Sequence, residues 1–364
     1  VTLVEVNYDT AVKAHIGGSD VRTTGGDVTL TALASGSIDV EGYGIGVAVS
    51  GGAVGISGAG TGVVTRVNAG SLVEASIFGG SDVRALDGAV ILDAQDQTGI
   101  DVDALGVTLA ASGGSVALSI SATVIVAETE IEGTVRAEID DSNVVAGNGN
   151  VDVLASSTTS SDLEATGIAL SAAGGTFGGS IALAAGVVHN TIAQVVEAVI
   201  DNADTADGQA VTASGAVNVS AEDSVMMTAI SRAISIAVSG GYVGLAVSVS
   251  AAIATNTLAG STIARVQNSR VDANGGPVTV TAQTSSQLGT QPIAFAFSAS
   301  VAFASLAAAG AGASGINTVT REVSSTIEAA SNVTANGAVT VEAWLRTWTS
   351  ARASTKPRET RAAV

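Results

Sequence analysis

Cysteine is absent from all 364 residues, so no disulfide staples the fold and no thiolate binds a metal. A small secreted domain held together by bridges is therefore excluded. Aromatic residues make up only 3% of the chain and prolines number three. The 46% apolar share must then rest on Ala and Val with some Ile and Leu, small and often β-branched side chains suited to thin, closely stacked sheets. Charge is scarce too, at 13%, and Lys13 and Lys356 are the only lysines. A long-helix protein rich in Glu, Lys and Leu does not look like this, and a disordered chain would be more charged and less apolar. The basic surface that phosphate neutralisation needs is missing at a net charge of −19, which argues against nucleic acid as a partner. The same charge suits a β-rich object that must avoid edge-to-edge aggregation. No signal peptide opens the chain, and Val1 starts inside a repeat, which predicts an excerpt or a processed product.

What is present is a repeat. Val28-Thr29-Leu30-Thr31-Ala32 is echoed at Val90, Val151, Val217, Val278 and Val339, so the steps along the numbering are 62, 61, 66, 61 and 61. Six copies of a unit of about 61 residues, none able to bury its apolar face alone, must stack on one another. The expected fold class is all-β, an elongated β-solenoid-type array over residues 1–343, with 344–364 as a basic tail or linker.

Each unit has a fixed order. An alternating Val-x-Val-x-Ala strand leads into a polar stretch such as Ser156–Ser161, then into a long uncharged block with a small-residue break: Gly51-Gly52, Gly113-Gly114, Gly174-Gly175 and Gly240-Gly241. In the last block Ser298-Ala299-Ser300 takes that place. A Gly pair supplies positive φ, so each block is predicted to be two apolar strands joined by a bend. Lacking polar alternation, these strands are expected to be buried on both faces. Uncharged runs such as Ala233 to Ala264 have the length of membrane helices, but Gly, Ser and β-branched residues with a central turn signal argue against helix. A Ser-x-Val-x-Ala segment, as in Ser142 to Ala146, then closes the unit, with period-two alternation at both ends. The fourth unit is longer than the rest, with an insertion near Asp204-Thr205-Ala206-Asp207 that is predicted to bulge as a surface loop.

Asn7, Asn68, Asn190, Asn256 and Asn317 recur at steps of 61, 122, 66 and 61 along the numbering, with Thr129 at the place between. An amide at a fixed inward or corner position can satisfy neighbouring backbone groups, so the five are assigned a structural role. With several coils per unit each would cap its own turn.

The unit, most typically residues 131–155, resembles repeats of very large bacterial surface proteins, the filamentous adhesins of the leukotoxin-named and filamentous-haemagglutinin-like kinds. The likeness runs over nearly the whole chain, all but the C-terminal tail. It implies an extracellular, elongated β-solenoid scaffold used in adhesion or in building a surface fibre, and it brings no catalytic motif.

The residues themselves carry little reactive chemistry. His15 and His189 fall in different registers, in no metal-ligand spacing, and are expected at exposed strand positions. No nucleophile elbow, Walker loop or zinc pattern occurs, and glycine runs such as Ser57 to Gly62 precede no helix that would cradle phosphate. The enzymatic alternative is a β-helical carbohydrate-active enzyme built on carboxylates such as Asp140-Asp141, Asp101 with Asp103, or Asp93 with Asp96, read here as solvated turn residues. The same oxygens leave calcium possible; no other cofactor is expected.

The expected function is therefore that of a non-enzymatic structural and adhesive repeat protein at the cell surface, associating with itself and with a cell surface or matrix. A membrane-inserted β pore is a further alternative, although no membrane insertion is expected. Residues 1–224 hold 28 acidic and 5 basic side chains, whereas residues 225–364 hold 5 and 9. That split, with Trp344, Trp348, Arg346 and Arg352 near the end, predicts head-to-tail assembly through the tail. With two or three coils per unit the array would be a rod of roughly 60–85 Å at about 4.8 Å per coil.

Overall fold

The computed structural model describes residues 1–204 and 208–362. The array is all-β. Each Val-x-Val-x-Ala segment opens a strand, because its β-branched residues alternate onto one side of a pleated surface. Four strands are equally long: β6 (Val90–Asp140), β8 (Val151–Asp201), β10 (Val217–Gln267) and β12 (Val278–Glu328). Each doubles back at its middle into an outgoing and a returning arm, as Thr108 shows by donating through Oγ1 to the Ala122 carbonyl at 3.1 Å. The preceding unit makes the same excursion as two strands, β3 (Val28–Ser50) and β4 (Val54–Phe78). The chain opens on a returning arm, β1 (Thr2–Gly17), and ends on outgoing arms, β14 (Val339–Ala351) and β15 (Ser354–Ala362). Short strands β2 (Asp20–Thr23), β5 (Asp82–Ala85), β7 (Asn143–Ala146), β9 (Val211–Ala213), β11 (Arg270–Ala273) and β13 (Asn332–Ala335) close the base of each excursion.

All pairing between these strands is parallel. Val28, Val90, Val151, Val217, Val278 and Val339 stand directly above one another. The long arms run in the order β1-β4-β6-β8-β10-β12-β14, and the short strands form a second sheet in the same progression. One unit is therefore one coil, not two or three. Among the described residues no backbone ladder joins the two arms of a coil; they meet through side chains, as stacked arches. This changes the expected shape. An arm of 23 residues such as β3 reaches roughly 75 Å, whereas six stacked arms rise only about 24–29 Å. The molecule is elongated across its stack.

Along the long arms the inter-coil step departs from 61 in two places, each set at a corner. Phe78-Gly79-Gly80-Ser81 holds one residue more than Gly17-Gly18-Ser19, so β1 pairs with β4 at a step of 61 but β4 with β6 at 62. Between β8 and β10 the step is 66, which places the extra residues between Asp201 and Val211; residues 205–207 of the expected loop lie outside the described residues. The corner serine is the ladder element of the Ser-x-Val-x-Ala motif. Ser142 Oγ donates to the Asp140 carbonyl (2.9 Å) and accepts from the Ser81 amide of the coil below (3.3 Å). Ser269 does the same for Gln267 and Ala203.

The interior changes character along the arms. At the base, Val, Ile and Leu from three sides, including Ile77, Leu92, Ile139 and Ile200, form a dry cluster. A second cluster at mid-arm contains Ile125, Leu163, Ile192, Met227 and Leu258. Toward the bend the interior shrinks to alanines such as Ala169, Ala182, Ala237 and Ala246, with buried serines between them. There the expectation of burial on both faces fails. The alternation is small against large, with Ala and Ser inside and Ile45, Leu118, Phe177 and Leu245 outside. Hydropathy does not separate Ala from Leu as apolar residues, but the space between two closely packed arms does.

The bend of the last uncharged block also lies elsewhere than expected. Gly240 and Gly241 pair with Val301 and Ala302, and Ser298 and Ser300 are buried in the arm before it. Phe303 stacks on Tyr242 beside that bend, ring centroids 5.1 Å apart.

Candidate functional site

Between the base and mid-arm clusters lies a buried polar layer. The inward column of the returning arms reads Ser71, Gly133, Gln194, Gly260, Arg321. Facing it on the outgoing arms stand Asp96, Ser157, Asp223 and Thr284. Asp96 accepts from Ser71 Oγ (2.7 Å), Thr98 Oγ1 (3.0 Å) and Gln194 Nε2 (3.1 Å). Gln194 Oε1 in turn accepts from Ser157 Oγ and Thr159 Oγ1, both at 2.9 Å. Such a network is stabilising only because its donors find acceptors.

Two coils on, Arg321 forms an ion pair with Asp223, and neither side chain has any exposure. Its guanidinium also donates to Thr262 Oγ1 (3.2 Å) and to the carbonyls of Ala259 and Gln194. Gly260 makes room for it. With φ at +104°, its backbone settles onto the Gln194 carbonyl where a Cβ would collide. Burial pushes the Asp223 carboxyl up to about 6 against the opposing pull of Arg321 and Ser157. It likewise pushes the Arg321 guanidinium down. Each charge is costly there and tolerable only through the other. Neither residue stands out in the sequence, because an Asp on β10 and an Arg on β12, whose places the adjoining coils fill with other residue types, leave no mark on a periodic pattern.

The five asparagines fall on two registers. Asn7 pairs with Asn68, but Asn68 pairs with Glu130, while Thr129 aligns with Asn190, Asn256 and Asn317. The extra corner residue at Gly79-Gly80 slips the count by one, and one residue of slip turns a side chain to the other face. Asn68 Nδ2 donates to Asn7 Oδ1 (2.8 Å) on the outer surface. The inward three bridge the arms. Asn190 Oδ1 accepts from Ser161 Oγ (2.9 Å) and its Nδ2 donates to the Ser161 carbonyl. Asn256 reaches the Gly289 carbonyl (2.8 Å) and Asn317 Oδ1 (3.1 Å), and Asn317 reaches the Ser350 carbonyl (2.8 Å). Substituting Asn190 or Asn256 by Ala is expected to cost about 1–3 kcal/mol by stranding buried partners. Asn68→Ala is expected to stay within about 0.5 kcal/mol as a surface change. Equal melting temperatures for all three variants would contradict the two-register assignment.

The acids are not confined to turns. Asp96 is interior, and Asp93 faces outward, accepting from Gln95 (2.7 Å). Asp140 ends β6 and Asp141 adopts the left-handed conformation beside it. On the outer face of the outgoing arms Asp39, Asp101 and Asp162 stand in one column, with Glu41, Asp103 and Glu164 in the next. Burial pushes the carboxyls of Asp103 and Asp162 up, and their neighbouring carboxylates add to it. Arg232 forms an ion pair with Glu164, and Tyr43 donates to Glu41 (2.9 Å). Among the described residues no group of three or more His, Asp or Glu side chains is arranged to hold a metal ion. His15 and His189 are exposed on β1 and β8.

Residues 344–362 do not leave the array as a linker. Trp344, Arg346 and Trp348 lie on β14, hydrogen-bonded above β12, and β15 continues the arm. The three side chains alternate onto the outer face, where Trp344 and Trp348 are 46% and 57% exposed. Arg346 lies over the Trp344 ring at 6.0 Å. Arg352 sits between the two strands and its amide donates to the Thr290 carbonyl at 2.9 Å. Among the described residues no helix is long and apolar enough to cross a membrane. Compared with protein-family models, with curated proteins and with solved structures, the chain finds no match in any of the three.

Proposed function

We propose that this chain is a non-enzymatic structural and adhesive array, a subunit or segment of an extracellular surface filament or giant adhesin, whose copies join head to tail. The observation that carries the reading is the build of the stack. Coils follow in sequence order, each bonded in register to the next along most of its length. Such an architecture adds length and surface with every coil and no new chemistry, which suits reach and contact rather than turnover. The charge split of the sequence becomes a split along the stacking axis, acidic over the first coils and mildly basic toward β14. Trp344, Arg346 and Trp348 supply an apolar and cationic row at that end, suited to an acidic coil of another copy.

Deleting residues 344–364 tests the joint. Intact chains are expected to form particles lengthened along the stacking axis in electron micrographs, with steering weakened above physiological salt, and truncated chains single blades. Identical filaments from both, or an intact chain that stays single at high concentration, would overturn head-to-tail joining. The adhesive part is tested by retention of the chain on cell or matrix-coated surfaces, and no retention would overturn it.

A further inference from the structure

The returning arms carry, on their outer face near the bend, an apolar surface that the fold leaves uncovered. Over Val54–Val64, Val116–Val126, Phe177–Val187, Val243–Ile253 and Ala304–Ser314 no charged residue occurs in any of five stacked coils. The coils align column by column. Alternation sends Ala, Ser and Gly inward and Leu118, Ile120, Phe177, Leu183, Leu245 and Val249 outward, all six exposed by more than a third. The patch stops where Arg66 and Glu128 begin, joined by hydrogen bonds of 3.0 and 2.6 Å. Eleven residues along the strand and five coils across span roughly 33 by 24 Å, or about 800 Å². That exceeds the usual exposed patch of a single soluble chain of about 300–600 Å². It equals the area of about 800 Å² that each partner contributes to a stable dimer.

We propose that this face docks a second copy of the chain, returning arm against returning arm, as two sheets packed face to face. Sheet-on-sheet packing needs only interdigitating apolar side chains about 10 Å apart, and this face offers them without a charged interruption. A bilayer fits less well. The opposite outer face is crossed by Tyr43, Asp103, Glu164 and Arg232 close to its apolar rows, and open sheet edges at the ends of the stack have no hydrogen-bond partners in hydrocarbon. The contact is lateral and two-fold, independent of head-to-tail joining. Because each copy carries −19, like charges oppose it, and salt strengthens it, the reverse of a charge-steered joint.

Sedimentation equilibrium of the full chain, up to about 100 μM at low and high salt, tests this. A closed species of twice the chain mass, favoured by salt, is expected. Leu183→Glu and Leu245→Glu should each weaken it at least tenfold with the far-ultraviolet spectrum and melting temperature unchanged, since both side chains are already exposed. Val47→Glu on the opposite face and deletion of residues 344–364 should leave it intact. A chain that stays monomeric throughout, or variants that dimerise like the parent, would overturn the proposal. So would flotation of monomers with phosphatidylcholine vesicles that Leu183→Glu abolishes, because that outcome assigns the face to lipid. Open polymers that vanish with the 344–364 deletion while no dimer remains would uphold head-to-tail joining and refute the lateral contact.

Discussion

Asp223→Ala is expected to destabilise the array by about 3–5 kcal/mol at neutral pH, the cost of leaving a buried charge without its partner. Arg321 has no exposed side-chain surface and, as a guanidinium, cannot escape by losing its proton at neutral pH. Arg321→Met is expected to cost less. The remaining carboxyl has a way out, since burial already pushes it up to about 6 and loss of the guanidinium pushes it further. The pair is thus asymmetric, and the double variant should recover most of the loss, because apolar groups of similar size in place of a buried ion pair are often neutral or stabilising. The pH dependence follows from the raised carboxyl. Between about 4 and 6 the folded state holds a proton that the unfolded state has released, so this group's contribution to stability falls as pH rises through that window. In Arg321→Met the window extends to higher pH. Denaturant midpoints of the three variants between pH 4 and 8 check all of this. A double variant as weak as Asp223→Ala would show that packing, not charge, accounts for the loss.

Gly241→Ala is expected to cost about 3 kcal/mol or more, and its neighbour Gly240→Ala less than about 1 kcal/mol. Gly241 sits at φ +143°, where an L side chain is strained by about 1–3 kcal/mol. A Cβ there would also penetrate the carbonyl oxygen of Gly175 in the coil below. Neither arm can retreat, because both are hydrogen-bonded to neighbouring coils on each side. Gly240 has room for a Cβ, the nearest atom being the Val301 carbonyl oxygen at an ordinary contact distance of 3.7 Å. Its substitution even gains from a less flexible unfolded chain. Hydrogen exchange at the bend, read beside the thermal midpoint, separates local opening from global loss. Equal effects at the two positions would mean that the bend is not held by its neighbours. The Ala302 bend shows why the rule is local: it lies in the last coil whose arch the described chain completes, with the whole of β10 on one side and only an outgoing arm on the other.

The β class, the period, the bends at the Gly pairs before the last coil and the position of the insertion were all legible in the residues. Each is a local or strictly periodic property: alternation of β-branched residues, the conformational demand of a tight bend, a constant count between echoes. Tertiary structure decided what depends on counting residues around a closed coil or on the width of the interior. One extra glycine at the Gly79-Gly80 corner splits five periodically recurring asparagines between two faces, since a slip of one residue reverses a strand's side chains. The joining of Arg321 to Asp223 across the arms follows from coil closure, which brings side chains far apart in the chain into contact. Trp344 and Trp348 look like tail residues in a basic composition, yet the edge of β12 offers unpaired backbone groups, and a strand that satisfies them is favoured over one left in water. The same width rule turned the uncharged blocks inside out. Two arms close enough to share alanines and serines have no room for Leu183 or Phe177 between them, and those side chains face outward.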